Sequence, residues 1–225
     1  MKKHIPNTIT LCNLVSGCAA TVFALKGDLS TALGLICAGN VFDFFDGMTA
    51  RLLGVASPIG KELDSLADVV TSGVAPSAML YVLLQKCGLD ACLSLAVFAL
   101  AAFSALRLAK FNLDTRQSTS FIGLPTPACA LFWAALVADC GDAIAETPCG
   151  AWYVGIGVVL SCLLLVSEVP MFALKFKSWG LRANALRYGF VAASALLLAL
   201  LGVAGLSASV GLYVVLSVVT QKRAS

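Results

Sequence analysis

Eight stretches of this chain, at residues 8–25, 29–53, 60–84, 90–109, 126–143, 151–169, 186–202 and 205–220, are dominated by apolar side chains and run close to the length of a bilayer crossing. A hydrocarbon core about 30 Å thick takes about 20 helical residues. Composition agrees: 60% of residues are hydrophobic and 12% are charged, and the mean hydropathy is +0.94. Soluble domains carry roughly 25% charged residues. A sphere of this size in water would have too few charges to cover its surface, so a water-soluble enzyme is excluded. The expected fold class is all-α and integral to a membrane, with eight transmembrane helices.

The connections between stretches carry turn residues, as at Lys26-Gly27-Asp28 and Leu124-Pro125-Thr126-Pro127. The first helix follows Lys2-Lys3-His4 and has Pro6 near its first turn, where a helix tolerates it. Charge then fixes an orientation. With the N-terminus in the cytoplasm, the inner face receives Lys2, Lys3, Arg51, Lys61, Arg107, Lys110, Arg116, Lys175, Lys177, Arg182, Arg187, Lys222 and Arg223. The outer face receives only Lys26 and Lys86. A wrong helix count would scramble that bias, so both termini are expected in the cytoplasm. The net charge of +3 reflects this asymmetry and gives no footprint for nucleic acid. No repeat or low-complexity segment divides the chain. A single membrane domain over 1–225 is expected, with six helices in 1–170 and two more in 186–220.

Nine cysteines form no C-x-x-C pair and sit mostly within apolar helices, where they read as small hydrophobes. Cys140 and Cys149 fall near the outer face, where only an oxidising compartment would let them pair. The one histidine, His4, lies in the N-terminal tail. Histidine-based nucleophilic or zinc chemistry therefore has almost nothing to work with.

The informative residues are acids inside apolar stretches: Asp43 and Asp46 in the second, Asp64 and Asp68 in the third. An intramembrane carboxylate is costly and marks function by default. At about 100° per residue, Asp46 lies about 60° behind Asp43, Gly47 about 40° ahead, Ala50 about 20° behind and Gly39 about 40° behind. One helix face thus combines acids with very small residues, with Arg51 at its edge. Asp64 and Asp68 are an i, i+4 pair on one face. Gly54 to Pro58 breaks the chain between the two helices, which makes them antiparallel neighbours whose acidic faces meet near the cytoplasmic end. Four ionised carboxylates so placed would repel strongly. Either several stay protonated or divalent cations sit among them, and carboxylates without His or Cys select hard ions such as Mg2+, Mn2+ or Ca2+. Carboxylates bridging two such ions suit phosphoryl-type transfer. Gly47 and Ala50 let something bulky approach the backbone, and Arg51 offers a planar fork for phosphate oxygens.

The pattern Asp43-x2-Asp46-Gly47-x2-Ala50-Arg51-x8-Gly60-x3-Asp64-x3-Asp68 resembles, at every fixed position, the signature of the CDP-alcohol phosphatidyltransferase family. The resemblance implies a membrane enzyme that moves a phosphatidyl group from a CDP-linked lipid to an alcohol and releases CMP. It implies that Asp43, Asp46, Asp64 and Asp68 hold two divalent cations, and that Asp68 acts as general base. Further segments are similar to one branch, the membrane-bound bacterial phosphatidylserine synthases. They are Ile5-Pro6-Asn7-Thr8-Ile9-Thr10, Glu62 to Asp68, Gly73-Val74-Ala75-Pro76, Arg107 to Asn112 and Phe121 to Pro127, with Ser167-Glu168-Val169-Pro170 and Lys175 the familiar positions beyond. Ser72 departs from the branch, where many relatives have an aromatic.

The branch implies CDP-diacylglycerol and L-serine as substrates, a bacterial inner membrane with the site facing the cytoplasm, and a homodimer. On this reading Asn7, Gly47, Ala50, Arg51 and Gly60 receive CDP-diacylglycerol, and Arg107, Lys110 and Asn112 receive the acceptor carboxylate or the lipid phosphate. Lys175, Lys177, Arg182 and Arg187 read as a basic anchor. No Ser, Cys or His stands beside an obvious base, so direct displacement is expected over a covalent intermediate. Two rivals remain at this point: the same transfer to another alcohol such as glycerol 3-phosphate, and, in a different class, a divalent cation transporter. A transporter would not need Gly47, Ala50 and Arg51 beside its acids.

Overall fold

The structure, a computed structural model, describes residues 4–55, 57–114, 121–171 and 184–221. Among them the chain is helical almost throughout. Helices α1 (His4–Leu25) and α2 (Leu29–Leu53) are followed by α3 (Pro58–Asp68), a π-helical turn (Val69–Val74) and α4 (Ala75–Lys86). Next come α5 (Ala91–Ser94), a 3-10 turn (Leu95–Phe98) and α6 (Ala99–Leu113), then α7 (Thr126–Glu146) and α8 (Gly150–Val166). The described chain ends with α9 (Ala185–Leu201) and α10 (Ala204–Gln221). Five helical segments are long and apolar enough to cross a membrane: His4–Leu25, Leu29–Leu53, Pro58–Lys86, Ala91–Leu113 and Thr126–Glu146. Gly150–Val166, Leu186–Leu201 and Ala204–Val219 are shorter apolar helices. The chain is an all-α, multi-pass membrane protein.

Most boundaries follow local chemistry. Asp28 caps α2 by accepting from the Thr31 amide at 3.0 Å, and that bond holds its carboxyl below the usual carboxylate range. Gly54, at φ +62°, ends α2 in the left-handed conformation. Ser57 caps α3, its hydroxyl accepting from the Gly60 amide at 3.1 Å, with Pro58 in the first turn. Pro76 cannot donate to the helix ladder and would press on the carbonyl four residues back. Just before it the ladder widens, and the Ala75 amide bonds the Val70 carbonyl. A π turn is the result, seated directly after Asp68.

Several boundaries lie a few residues from those of the apolar stretches: α6 runs to Leu113 rather than 109 and α7 to Glu146 rather than 143. Helix α1 begins at His4 with Pro6 in its first turn, as expected of its start and four residues ahead of the apolar stretch at 8–25. Helix α8 stops at Val166 rather than 169: Ser167 turns extended, with φ −65° and ψ 155°, three residues ahead of Pro170. Pro170–Met171 (β2) then pairs antiparallel with Phe121–Ile122 (β1), a ladder too short to show any alternation in sequence.

Helix α1 is the centre of the arrangement, packed against α2, α3, α4 and the π turn; α7 lies against α2, α4 and α10, and α8 against α6 and α7. The turn between α2 and α3 reverses the chain as expected of neighbours. Yet it is α1 that packs closely against both, and their own backbones stand apart. Glycines allow the close approach. A Cβ on Gly17 would sit 2.7 Å from Thr71 Cα, and one on Gly39 would sit 2.7 Å from Asn13 Oδ1. Ile36, Met79, Leu80, Leu83, Leu100 and Leu165 are fully buried, while Val15, Leu52, Ile156 and Leu196 stay exposed on the outside. So large an apolar exterior has lipid as its natural solvent.

The two ends of the bundle differ. One gathers Asn7, the acids of α2 and α3, and Arg107 to Asn112. The other carries the loops at 26–28, 87–90 and 147–149, an ion pair of Lys86 Nζ with Asp142 at 2.7 Å, and exposed Trp152 and Tyr153, the aromatic type that favours a membrane interface. Cys140 and Cys149 lie toward this second end as free thiols. Arg51, Lys61, Arg107, Lys110 and Arg187 belong to the described residues; Lys2, Lys3, Arg116, Lys175, Lys177, Arg182, Lys222 and Arg223 lie outside them.

Candidate functional site

Asp43 projects from α2, and Asp64 and Asp68 from successive turns of α3. One carboxylate oxygen from each lies within 4.8 Å of the others. Asp46, three residues after Asp43, is buried just beside this trio and is held by the Thr10 hydroxyl of α1. Asp68 is also buried, and accepts from Asn13 Nδ2 at 3.2 Å. Asn13 is in turn fixed by its neighbours, its backbone carbonyl accepting from Thr71 Oγ1 at 3.0 Å. Helix α1 therefore supplies two hydrogen-bonding side chains, three residues apart, one for an acid of each neighbouring helix.

These carboxylates lack a compensating cation among the described residues close enough to form an ion pair. Asp64 Oδ1 is buried without a hydrogen-bond partner. An oxygen-only donor set, converging and unneutralised, fits hard divalent cations such as Mg2+ or Mn2+. Asp43, Asp64 and Asp68 could hold such an ion directly, with Asp46 adjoining.

A cavity of about 590 Å3 opens beside the acids, lined by Asn7, Thr10, Asp46, Gly47, Ala50, Arg51, Ser57, Gly60, Lys61, Asp64 and Phe111. All five residues read from sequence as receiving a nucleotide-linked lipid face this one space. Arg51 folds back along its helix, its Nε donating to the Gly47 carbonyl at 2.9 Å. A side chain on Gly60 would press on Ser57 Oγ at 3.2 Å and Asn7 Oδ1 at 3.3 Å, so glycine keeps this wall of the cavity open.

Arg107 and Lys110 lie in a second, much smaller cavity of about 60 Å3, with Asp114 and Glu168 on its rim. Arg107 is buried. Its Nη1 donates to Thr126 Oγ1 at 2.9 Å, its guanidinium lies 5.6 Å from the Phe111 ring centroid, and it is within electrostatic range of Asp68. Phe111 lines both cavities and forms the partition between them. Asn112 lines neither. Its Nδ2 donates to Ser65 Oγ at 2.8 Å and its carbonyl accepts from Lys61 Nζ at 2.9 Å, so it clasps α6 to α3.

Thr10, Asn13, Ser57 and Phe111 were not singled out from sequence. For Thr10 and Asn13 a signal existed: with Asn7 they form a polar stripe at three-residue spacing on an otherwise apolar helix, and intramembrane polar groups are seldom idle.

A family model described as CDP-alcohol phosphatidyltransferase matches residues 3–163. Three relatives carry the name CDP-diacylglycerol–serine O-phosphatidyltransferase. The protein from Mycobacterium leprae (strain TN) is 32% identical over 174 residues, 74% of this chain and 57% of its own length. That from Bacillus subtilis (strain 168) is 40% identical over 125 residues, 55% of this chain and 70% of its own. That from Helicobacter pylori (strain J99) is 35% identical over 182 residues, 79% of this chain and 75% of its own. The match to this chain thus spans little more than half the length of the mycobacterial relative.

Proposed function

The chain belongs to the CDP-alcohol phosphatidyltransferase family, and from that premise we propose that it transfers a phosphatidyl group from CDP-diacylglycerol to the hydroxyl of L-serine, releasing CMP. The observation that supports this best is the convergence of Asp43, Asp64 and Asp68 at the wall of a cavity that also collects Asn7, Gly47, Ala50, Arg51 and Gly60. The relatives' names supply serine as the acceptor. On this reading the chain is a single membrane domain over 1–225 that crosses a bacterial inner membrane eight times. Both ends and the acids face the cytoplasm, and the catalytic core occupies 1–170.

Asp43, Asp46, Asp64 and Asp68 would hold two divalent cations, Mg2+ or Mn2+, which supply positive charge for a diphosphate and its departing oxygen. The rest falls to the chain's own groups. Gly47 and Ala50 leave room for the nucleotide against α2, and Arg51 and Asn7 offer donors to its phosphate and sugar. Arg107 and Lys110 hold the acceptor's carboxylate or the lipid phosphate on the other side of Phe111. Asn13 binds one oxygen of Asp68 and leaves the second to take the proton of the serine hydroxyl. The serine oxygen then bonds to the β-phosphorus, while the bond from that phosphorus to the CMP oxygen breaks and CMP leaves with the electron pair. His4 is the sole histidine and no cysteine or serine among these groups adjoins a base, so displacement proceeds in one step. Exchange of labelled CMP into CDP-diacylglycerol without serine would contradict it.

The decisive experiment offers purified protein in detergent CDP-diacylglycerol with serine, glycerol 3-phosphate or inositol. CMP release with serine alone is expected. Release with glycerol 3-phosphate alone would reassign the acceptor, and divalent ion flux in vesicles without CMP release would favour a transporter.

Thr10→Val keeps the shape of the side chain and removes the donor to Asp46. Hydrogen bonds that orient metal ligands are worth about 10- to 100-fold in metal affinity. The variant is expected to need about that much more Mg2+ for half-maximal CMP release and to melt lower, because buried Asp46 loses its donor. A Mg2+ titration overlaying the parent's would show that the Thr10 contact orients nothing.

A further inference from the structure

Two carboxylates, Asp114 and Glu168, line the small cavity of Arg107 and Lys110 and have no part in the chemistry proposed above. Asp114 caps the end of α6, its amide donating to the Lys110 carbonyl at 3.0 Å. Glu168 comes from the opposite wall, in the extended segment between α8 and β2. That segment is pinned. Ser167 Oγ donates to the Leu164 carbonyl at 2.9 Å, and the Gly123 amide donates to the Val169 carbonyl at 2.9 Å. Gly123 has φ +74°, and a Cβ there would lie 2.8 Å from the Leu165 carbonyl oxygen and 2.9 Å from that of Ser167. Glycine alone lets the two strands of chain approach so closely.

The cavity is thus walled by charges of both signs that do not collapse onto each other: among the described residues Arg107, Lys110 and Glu168 form no ion pair with one another. Arg107 is 7% exposed, and its Nε is buried without a hydrogen-bond partner, an open donor that is costly to leave unmet. Two cations offset by two acids do not suit a phosphate, lipid or free, whose negative charge would face Asp114 and Glu168. They suit a small molecule that itself carries both signs. One water-sized group takes roughly 10–15 Å3, so a cavity of about 60 Å3 admits a few of them. An ammonium, a carbon and a carboxylate fill such a space, and an inositol ring exceeds it.

We infer that Glu168 receives the ammonium of the amino-acid acceptor while Arg107 and Lys110 take its carboxylate, which makes Glu168 a specificity-determining residue. The inference rests on the serine acceptor proposed above, and it gives the two cations to the acceptor instead of the lipid phosphate. Phe111 lines both cavities, so an acceptor held by its charged end presents its hydroxyl past that ring toward the acids. An acceptor without an ammonium leaves Glu168 unanswered. Glu168 also lies beyond residue 163, where the family match ends, as suits a residue that selects the alcohol and takes no part in the shared transfer.

Glu168→Gln keeps the shape of the side chain and removes its charge. The expected result is a KM for serine raised about tenfold, the scale of a charged hydrogen bond to an exposed partner. The kcat, the KM for CDP-diacylglycerol and the melting temperature should not move. 3-Hydroxypropionate, which is serine without its amino group, should inhibit parent and variant equally, with a Ki about tenfold above the parent's KM for serine. An unmoved serine KM overturns the inference. So does a KM for CDP-diacylglycerol that rises with it, which would put the lipid phosphate in the cavity, and so does a lowered melting temperature, which would make Glu168 structural. Weaker inhibition of the variant by 3-hydroxypropionate, or none of either protein at about a hundred times the serine KM, overturns it as well. A second readout is independent of turnover: labelled L-serine, in equilibrium binding to the protein in detergent with Mg2+, should bind Glu168→Gln about tenfold more weakly than the parent. Absence of CMP release from the parent with serine would count against the proposed function, and the binding arm would still decide the cavity. Serine bound equally by both proteins, or by neither, overturns the inference.

Discussion

Asp68→Asn is expected to lower CMP release by about a hundred- to ten-thousand-fold, the usual range for loss of a general base, with the protein still folded. Asparagine keeps the volume and one oxygen to accept from Asn13 Nδ2, now at 3.2 Å from the aspartate. It loses the charge and the second basic oxygen. The measurement is initial rate at saturating serine, CDP-diacylglycerol and Mn2+, so that a weakened metal site cannot pass for lost base function. Stability should move the other way. Asp43, Asp64 and Asp68 present oxygens within 4.8 Å of one another, and without divalent ions each ionised carboxylate burdens the others. Removing one should therefore raise the melting temperature in chelator while activity collapses. Activity within tenfold of the parent would take the base role from Asp68. A fall in melting temperature in chelator would mean that the carboxylates are not in repulsion.

Much of this arrangement could be read from the chain because lipid makes simple demands. Apolar runs interrupted by Lys26-Gly27-Asp28 or by Gly54 gave helices whose ends lie close to those read, and four acids within apolar stretches pointed to their own site. The pairs i, i+3 at Asp43 and Asp46 and i, i+4 at Asp64 and Asp68 needed only helical geometry. What escaped depends on partners distant in sequence. Nothing local shows that Asn13 meets Asp68, that Thr10 meets Asp46, or that Phe111 divides two cavities. The first and third follow from α1 and α6 packing on helices that sequence order does not make adjacent, and the second from the register of α1 against α2. The β1–β2 ladder has two residues a side, fewer than a period-2 pattern needs to be seen. The π turn was in principle legible, since Pro76 must disturb the ladder before it. Asn112 shows the opposite hazard: it belongs to a segment shared with Arg107 and Lys110, yet a clasp to Ser65 and Lys61 occupies it.

Gly17→Leu is expected to cost folding and activity together, and heavily. A Cβ at this position would lie 2.7 Å from Thr71 Cα and 2.8 Å from Thr71 N. These are backbone atoms of the π turn, fixed by the same proline that produces it, so no side-chain rotation relieves the clash. Overpacking a tight interface costs typically about 1–3 kcal/mol, and a clash against backbone belongs at or beyond the top of that range. Thr10, Asn13 and Gly17 stand at i, i+3 and i+7 on one face of α1. Pushing α1 away from Thr71 therefore also draws Thr10 from Asp46 and Asn13 from Asp68. Gly34→Leu is the matched control, because a Cβ on Gly34 meets nothing within 4 Å. Melting in detergent, followed by size-exclusion recovery, should show Gly17→Leu far below the parent, Gly17→Ala between, and Gly34→Leu unchanged. CMP release should fall in the same order. If Gly17→Leu melts and turns over like the parent, then α1 does not rest on the π turn, and the positioning of both acids by α1 loses its structural basis.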